Sequence, residues 1–573
     1  MIKLRKICNI ILLTITMLIE MMIINVSNNL TQGIFLSFVN IISAVLIVWF
    51  QKNNKKDNTW SILILFILLL SFFSIIVYGG MKVFPAVTPY MHVKSAIQSL
   101  FILFAIFGVA FSFSVFFRFD TWKIFVFAGG ILGLCMMIII PLGAVPDEVI
   151  HIHTAYSLSN SMMGIKNSVE GLLMRADDAV RGINDFGRSS YYSLEQYEEY
   201  YANCLLKLSD ATMIEANVKV LAMRYPYAIS ALGISVGRFC GLGTYPTLYL
   251  GRMFNFLVYL LVCCYTLKIL PKGKIPLLVL LLTPMSLQQG MSYSYDSLVI
   301  SISCLALAES LLIMTKPCSD NYVKEWCLSF VLLCLLGPIK GHAYMLIAVL
   351  PLAVLFVKWV SDKPKIRKTA LYAFGIMTVF AIVAVVYVII SIKMNGYTPT
   401  YVDIGQGLTE GYSIGYFVDN PVELLKIAYL TLKSYGVIYV FQAIGQNLGW
   451  LDINIPLFIT ECFCVLLILS VFQDDANGIY LTSNQRFLFL GISVLTICFI
   501  FGGMLLQWSP IEEKLIQGVQ GRYFVPVIPY LIMSGGISIR KSRVAKYLEI
   551  ILPVVAGILS LLALESLIVL YMI

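Results

Sequence analysis

The chain has 573 residues, of which 59% are hydrophobic and 12% are charged, and its mean hydropathy is +0.88. A soluble domain is about 45–50% apolar and about 25% charged, so this composition excludes an ordinary soluble enzyme. Many stretches exceed the roughly 18 apolar residues that are needed to cross a bilayer, which predicts a polytopic membrane protein. The formal net charge of +9 is attributed to cytoplasmic loops rather than to a nucleic-acid partner.

About 15 apolar segments, with a range of 13–15, are predicted to be transmembrane helices from the hydropathy pattern. The first follows Lys3, Arg5 and Lys6 and lacks a small-residue cleavage site, so it is predicted to be an uncleaved span. The predicted spans lie at 7–25, 33–50, 60–79, 96–117, 124–143, 246–268, 275–291, 297–315, 326–338, 342–359, 369–392, 455–472, 487–506, 523–539 and 547–571.

The short connections between these spans predict the orientation of the chain. Lys and Arg concentrate in connections that are cytoplasmic when the N-terminus lies inside, such as 363–368 and 540–546. The positive-inside rule therefore predicts a multi-pass protein of the cell membrane with a cytoplasmic N-terminus. Four regions follow: an extra four-span bundle at 1–123, a core at 124–393 that includes a large outer loop at 144–245, a second outer or interfacial segment at 394–454, and C-terminal spans at 455–573.

The two long outer segments are predicted to form extracytoplasmic lobes of amphipathic helices on an all-α protein. In the first, "SLEQYEEYYANCLLKLSD" has helical spacing and a cap-like start, and "VKVLAMRYPYAISALGISVGRFCGLG" is predicted to lie on or partly in the membrane surface. The second segment is rich in Tyr and Gly and too polar to span cleanly, which favours an interfacial or re-entrant element. Cys204 and Cys240 lie in the first loop and could pair if that loop is external.

Nucleotide-binding and metalloprotease motifs are absent from the sequence. No Walker loop, dinucleotide fingerprint or His-Glu-x-x-His motif occurs. The cytoplasmic connections are also too short to hold a nucleotide-binding domain. A cytosolic nucleotide site is therefore excluded.

Polar residues collect at the predicted outer ends of the spans, although they come from distant parts of the chain. Ionisable groups at a membrane edge are unfavourable unless they have a function, so their convergence predicts a site. Lys and Arg suit a phosphate or pyrophosphate, and a carboxylate suits a general base or a metal ligand. These residues are Asp147, Glu148, His151, Arg224, Arg252, Asn255, Gln288, Gln289, Asp296, Lys340, His342, Gln520, Arg522 and Tyr523.

Each of these residues also has a purely structural interpretation. Arg252 and Arg522 could extend to lipid headgroups, and Asp296 could cap the helix that follows it. Lys340 could anchor to anionic lipid, and Asp147 and Glu148 could cap a helix in the loop. His153 is expected at the surface. Glu20, Glu309, Glu461 and Glu565 lie inside predicted spans and are expected to be packing residues.

The stretch "PDEVIHIHTAYSLS" resembles the Pro-Asp-Glu-x-x-His-x-x-x-Ala signature of a large family of bacterial predicted membrane proteins of unknown function. That family is similar to the GT-C glycosyltransferases, integral membrane enzymes with an acidic residue in the first large outer loop that take a sugar from a polyprenyl-phosphate carrier. The resemblance covers roughly residues 124–540. It continues, in the same order, through "RYPYAISALG", "YLGRMFNFLVY", "LTPMSLQQGMSYSYDSL", "PIKGHAYMLIAVLPL" and "GVQGRYFVPVIPYL".

The resemblance implies a set of roles for the polar residues. Asp147, with Glu148, occupies the acidic catalytic position and would deprotonate the acceptor hydroxyl, and a Mg²⁺ or Mn²⁺ ion held by both is an open option. The donor phosphate would be held by Arg522 and Lys340, with Arg224 and Arg252 as further candidates. The residues expected to contact the rest of the substrate are His151, Asp296, Tyr523, Gln520 and His342.

The implied partners are a polyprenyl-phosphate-linked sugar, a cell-envelope glycan acceptor and the lipid bilayer. One departure concerns Lys340-Gly341-His342, where relatives commonly have Lys-Pro-Pro. Three alternatives remain open: a flippase or transporter of a lipid-linked sugar, a polysaccharide polymerase or ligase that uses a pyrophosphate-linked donor, and a non-catalytic assembly partner. A base at Asp147 is needed for transfer and is not needed for transport, so Asp147→Asn separates these functions.

Overall fold

The computed structural model describes most of the chain from residue 89 onward. The described residues are 89–166, 171–181, 193–317, 322–361, 390, 400–403, 408–471, 481–535 and 543–572. The first three predicted spans and Glu20 lie outside the described residues, as does the predicted span 369–392 apart from residue 390.

The described residues are mainly helical. The α-helices are α1 Met91–Phe116, α2 Thr121–Ile139, α3 Glu148–Met162, α4 Ala176–Arg181, α5 Leu194–Asn203, α6 Ala228–Phe239, α7 Thr244–Ile269, α8 Lys274–Leu281, α9 Pro284–Met291, α10 Asp296–Thr315, α11 Val323–Leu336, α12 Met345–Ser361, α13 Ile414–Asp419, α14 Pro421–Ile444, α15 Leu457–Ser470, α16 Ser483–Trp508, α17 Ile528–Gly535 and α18 Arg543–Met572. Short 3-10 turns lie at Tyr225–Tyr227, Ile339–His342 and Gly521–Phe524.

Three small antiparallel strand pairs qualify the prediction of a purely helical protein. They are β1 Leu172–Arg175 with β2 Met213–Ala216, β3 Thr400–Asp403 with β4 Leu408–Gly411, and β5 Asn447–Leu448 with β6 Ile453–Asn454. All three pairs lie in the two segments that the sequence predicted as outer lobes. The pairs β3–β4 and β5–β6 are short hairpins, whereas β1 and β2 are separated in the chain by α4 and α5. Each forms a two-stranded sheet.

Seven helices in the described part of the chain are long and apolar enough to cross a membrane: α1, α2, α7, α10, α14, α16 and α18. Helices α12 and α15 are apolar but shorter. A polytopic membrane protein is therefore confirmed, whereas the count of about 15 spans stays a prediction. The buried core is formed mainly by α1, α2, α7, α8, α10 and α18, and α10 is the most enclosed of the seven candidate spans.

Two predicted elements differ from the structure. The predicted span 275–291 is two shorter buried helices, α8 and α9, because Pro284 cannot donate the backbone hydrogen bond of a continuous helix. Helix α9 begins anew after Thr283, whose side chain caps it by accepting a hydrogen bond from the Ser286 amide. The segment around 421–444, predicted to be too polar to span, is one helix of 24 residues that meets the length and hydropathy of a span.

The first outer segment folds closely against the membrane helices. Ser193 and Gln196 form a capping box at the start of α5, so the cap-like start predicted there is present. Helix α6 packs on α7 through Gly233, where an added Cβ would lie 2.5 Å from the Leu250 carbonyl oxygen. Cys204 and Cys240 are both free thiols, so the pairing that the sequence left open is not formed.

Candidate functional site

Two acidic and two basic residues from four distant parts of the chain meet at one end of the helices. We call Asp147, Asp296, Lys340 and Arg522 the charge quartet. The Arg522 Nη2 atom lies 3.2 Å from Asp147 Oδ2, and Arg522 Nε lies 3.6 Å from Asp296 Oδ2. Lys340 Nζ lies 2.6 Å from the other oxygen of Asp296. The structure thus brings together four residues that the sequence placed at one membrane face.

The four side chains differ sharply in exposure. The Asp147 side chain is 56% exposed, whereas those of Arg522 and Asp296 are 2% and 5% exposed. Lys340 is also largely enclosed, with 15% of its side chain exposed. Asp147 is therefore the member that an incoming molecule can reach first; Arg522 contacts it directly, and Lys340 is linked to Arg522 through Asp296.

Both cations in the quartet have unused hydrogen-bonding capacity. Within the described residues, the buried Arg522 Nε atom has no hydrogen-bond acceptor, and Asp296 Oδ2 lies 3.6 Å away, at ion-pair distance. Lys340 Nζ carries three N–H donors, and Asp296 Oδ1 at 2.6 Å can accept from only one of them. Buried donors are nearly always satisfied in folded proteins, so such atoms call for an explanation. An anionic ligand that supplies oxygen atoms at this point is one such explanation.

Two quartet members have a strained backbone. Asp147 has a φ of 63° and Lys340 a φ of 50°, in the left-handed region that non-glycine residues rarely adopt. Each such residue costs about 1–2 kcal/mol and persists only where the surroundings impose it. Gly341 also has a positive φ of 59°, which proline cannot reach because its ring fixes φ near −65°. The Lys-Gly-His sequence therefore gives this turn a shape that Lys-Pro-Pro would not.

Arg522 is positioned by helix α14. The Gly521 amide donates to Gln442 Oε1 at 3.1 Å, and an added Cβ on Gly521 would lie 2.4 Å from Gln442 Cβ. Glycine therefore lets the 3-10 turn press directly against α14. Arg522 Nη1 also donates to the Pro146 carbonyl at 3.3 Å, which links this turn to the residue before Asp147.

Aromatic rings surround Lys340. Its Nζ atom lies 3.6 Å from the centroid of the Tyr523 ring and 5.4 Å from that of Tyr295. Tyr344 donates a hydrogen bond to the Tyr523 carbonyl at 2.8 Å and so holds the backbone of the residue that carries this ring. Burial lowers the pKa of Lys340 to about 8, against the opposing effect of Asp296. Lys340 is thus a cation near its titration point, held between two aromatic faces and a carboxylate.

His151 lies beside the quartet on α3. Its Nδ1 atom is 2.6 Å from the hydroxyl of Tyr227, and the Tyr295 ring meets its edge with centroids 5.2 Å apart. Burial lowers the pKa of His151 to about 4, so the imidazole is neutral near pH 7. Charges on Asp147 and Arg522 act on the ring, which places it within the electrostatic field of the site.

Glu148 and Arg252 bind each other rather than a ligand, which revises two predicted roles. Both side chains are fully buried, and Arg252 forms a two-point contact with the carboxylate at 2.5 and 2.8 Å. Its remaining donors go to the carbonyls of Ile140 and Pro141. Because Glu148 also accepts from the amides of Gly143 and Tyr293, neither partner is available to a phosphate or an acceptor. The pair instead fixes the turn that presents Asp147.

The described residues give no support for a metal held by Asp147 and Glu148. Within them, no group of three or more His, Cys, Asp and Glu side chains is arranged to hold a metal ion. Both Glu148 oxygen atoms are already occupied by Arg252 and backbone amides. The geometry therefore favours a site whose positive charge comes from Lys340 and Arg522.

The remaining predicted contact residues have protein partners or lie apart from the quartet. His342 Nδ1 lies 3.0 Å from the Gly337 carbonyl, and Gln520 is half-buried with an Oε1 atom that has no partner among the described residues. Arg224 is exposed and, within the described ranges, forms no ion pair with the four charges. Asn255 donates to Ser292 and Ser297.

His153 is buried, contrary to its predicted surface position. Its exposed fraction is 5%, because α3 is covered on several sides by β1, α6 and the turn at Tyr225–Tyr227. A short polar helix in a loop looks exposed in sequence, but here the loop itself encloses the helix. Burial lowers the pKa of His153 to about 4.

Residues of the second outer segment also support the site, and sequence analysis did not single them out. Trp450 Nε1 donates to the Gly143 carbonyl at 2.9 Å, close to the turn that carries Asp147. Gln288 exchanges two hydrogen bonds with Gly449, at 2.8 and 3.1 Å. The glycines before Trp450 favour a turn in this stretch. The place where the turn packs depends on tertiary contacts that sequence patterns do not reveal.

Residues 131–531 match the protein family described as "Predicted membrane protein (DUF2142)". The chain belongs to this family. The matched range includes all four members of the charge quartet, together with Glu148 and Arg252. No curated protein matches the chain, and no solved structure matches it. Membership confirms the prediction of a membrane protein family, and the likeness of that family to GT-C glycosyltransferases stays a prediction.

Proposed function

We propose that the protein is a membrane glycosyltransferase that moves a sugar from a polyprenyl-phosphate donor to a cell-envelope glycan on the outer face of the membrane. Asp147 is the general base in this proposal, and Arg522 with Lys340 holds the donor phosphate. The proposed resemblance to GT-C glycosyltransferases is part of the same hypothesis.

The observation that carries the proposal is the convergence of one exposed carboxylate with two enclosed cations that have unused donors. A transfer from a sugar phosphate needs both kinds of group close together, a base for the acceptor and positive charge for the leaving phosphate. Asp147 and Arg522 are in direct contact, so the two functions can be served within one small site.

The reaction proposed is a single inverting displacement. Asp147 accepts the proton of the acceptor hydroxyl as that oxygen attacks the anomeric carbon of the sugar. The bond between the anomeric carbon and the phosphate oxygen breaks, and its electron pair leaves with the polyprenyl phosphate. Arg522 and Lys340 stabilise the negative charge that develops on this leaving group.

Asp296 has a supporting role in this scheme. It lies between Lys340 and Arg522 and is itself 5% exposed, so it neutralises and aligns both cations before a ligand arrives. When the donor phosphate binds, its oxygen atoms supply an acceptor to Arg522 Nε and further acceptors to the Lys340 ammonium group. The Asp296 carboxylate stays in place as a counter-ion, because its side chain is enclosed by the protein.

The test compares envelope glycans in cells with the wild type, a deletion, or Asp147→Asn at matched protein levels. We expect the deletion and Asp147→Asn to lose the same single sugar substituent while the undecorated polymer persists. Asp120→Asn is the matched control, since Asp120 is 68% exposed at the opposite end of α2. If Asp147→Asn retains the substituent that the deletion loses, the base assignment fails and transport of a lipid-linked sugar becomes the better account.

A further inference from the structure

Tyr227 and His151 form a buried pair that the proposed reaction does not yet use. The Tyr227 hydroxyl lies 2.6 Å from His151 Nδ1, and the two side chains are only 1% and 4% exposed. Their rings lie nearly parallel, with centroids 5.5 Å apart. Tyr295 meets both rings edge-on, at 5.2 and 6.2 Å, so the pair is held from a third side.

The direction of this hydrogen bond follows from the needs of the tyrosine. Burial raises the pKa of Tyr227 far above its ordinary value, so the phenol keeps its proton. Because buried O–H donors are nearly always satisfied in folded proteins, this hydroxyl is expected to donate its proton to an acceptor. Among the residues that the structure describes, His151 Nδ1 is the acceptor bonded to this hydroxyl. A neutral imidazole has one acceptor nitrogen and one N–H, so acceptance at Nδ1 places the proton on Nε2.

His151 lies one turn into α3 from Asp147, and its backbone amide donates to the Asp147 carbonyl at 3.2 Å. The charges of Asp147, Arg522, Asp296 and Lys340 all act on its ring. An Nε2–H at this place is an uncharged hydrogen-bond donor beside two cations. It would serve an anionic ligand without adding net charge to a quartet that is already neutral.

We infer that Tyr227 is a positioning residue that locks His151 in the Nε2–H form, so that His151 donates a hydrogen bond to the bound donor and does not act as a base. The inference rests on the proposed function for the identity of that donor. It assigns proton abstraction to Asp147 alone. It also gives a function to Tyr227, which lies in the block "RYPYAISALG" but was not among the predicted site residues.

The tautomer can be measured without knowing the sugar. The chain contains four histidines, so ¹⁵N NMR of histidine-labelled full-length protein in lipid bilayers gives few signals, and His151→Gln identifies those of His151. We expect a protonated Nε2 and an unprotonated Nδ1 at pH 7 in the wild type. Tyr227→Phe should shift the Nδ1 resonance and allow the other tautomer, whereas Tyr225→Phe, which removes a hydroxyl bonded to the Leu335 carbonyl, should not.

A proton on Nδ1 in the wild type overturns the inference, whatever the protein is found to do. The activity measurement is separate: Tyr227→Phe should lower kcat/KM for sugar transfer about threefold to tenfold, the effect of losing one positioned hydrogen bond. His151→Gln, whose amide can place an N–H near the Nε2 position, should retain more activity than His151→Ala. If the NMR result holds but no transfer is found in any variant, the proposed function fails while the tautomer assignment stands.

Discussion

The pairing of Glu148 with Arg252 gives the sharpest test of the geometry, because the sequence assigned both residues to catalysis or ligand binding. In the structure, both side chains have zero exposure and each of the three Arg252 nitrogen atoms donates to a protein acceptor. Glu148→Gln keeps the shape of the side chain and removes its charge. It therefore leaves a buried guanidinium without a counter-ion.

The expected loss of stability is large. Removing one partner of a buried ion pair typically costs about 3–5 kcal/mol, because the remaining charge is left uncompensated. Replacing both partners by neutral groups removes that penalty. The double variant Glu148→Gln with Arg252→Met is therefore expected to recover much of the loss, with a coupling free energy of about 1–3 kcal/mol.

The assay is thermal unfolding of the purified protein in detergent, followed by intrinsic fluorescence at matched concentrations for the wild type, both single variants and the double variant. Lys123→Met serves as a control, because Lys123 pairs with Asp120 at an exposed site where such contacts contribute little. If Glu148→Gln unfolds at the temperature of the wild type yet abolishes sugar transfer, Glu148 is catalytic, and its assignment as a structural residue is refuted.

Three further predictions concern the quartet and its supports. Binding of a polyprenyl-phosphate sugar should weaken as pH rises through about 8, because Lys340 is charged below its pKa and neutral above it. Lys340→Arg should flatten the pH profile of binding in this range, and an unchanged slope would contradict the assignment of Lys340 to the donor phosphate. Gly521→Ala should reduce transfer at least about tenfold by displacing Arg522, whereas Gly502→Ala, which meets no atom within 4 Å, should be neutral in the same initial-rate assay. Trp450→Phe should lower stability by about 1 kcal/mol in thermal unfolding, since it removes one hydrogen bond to Gly143, and an unchanged unfolding temperature would show that this contact is not important.

The clustering of the quartet was accessible from sequence because it depends on topology. In the predicted topology, Asp296, Lys340 and Arg522 lie on the same side of the membrane as Asp147, whatever the detailed packing of the helices. The four quartet residues also lie in sequence blocks that resemble those of a known family and occur in the same order. The broken span at Thr283-Pro284 was also signalled by sequence, since proline disfavours a continuous helix, but the apolar run around it concealed the break.

The choice of partners within the site was not accessible from sequence. Several carboxylates and guanidinium groups are predicted at the same membrane face, and hydropathy does not say that Glu148 pairs with Arg252 while Asp147 pairs with Arg522. That selection follows from the left-handed backbone at Asp147, which separates two adjacent acids into one exposed and one buried group. Tyr227 was not predicted as a site residue for a related reason: it lies in the block "RYPYAISALG", but nothing in the sequence pairs its hydroxyl with His151.

The measurement that tests the central claim most directly is the rate of sugar transfer to envelope glycan by membranes that contain the wild type or Asp147→Asn at equal protein levels. A general base typically contributes about 10²–10⁴-fold to a rate, so we predict a loss of at least about 100-fold with donor binding retained. Transfer by Asp147→Asn at the rate of the wild type would contradict the assignment of Asp147 as the base and, with it, the proposed active site.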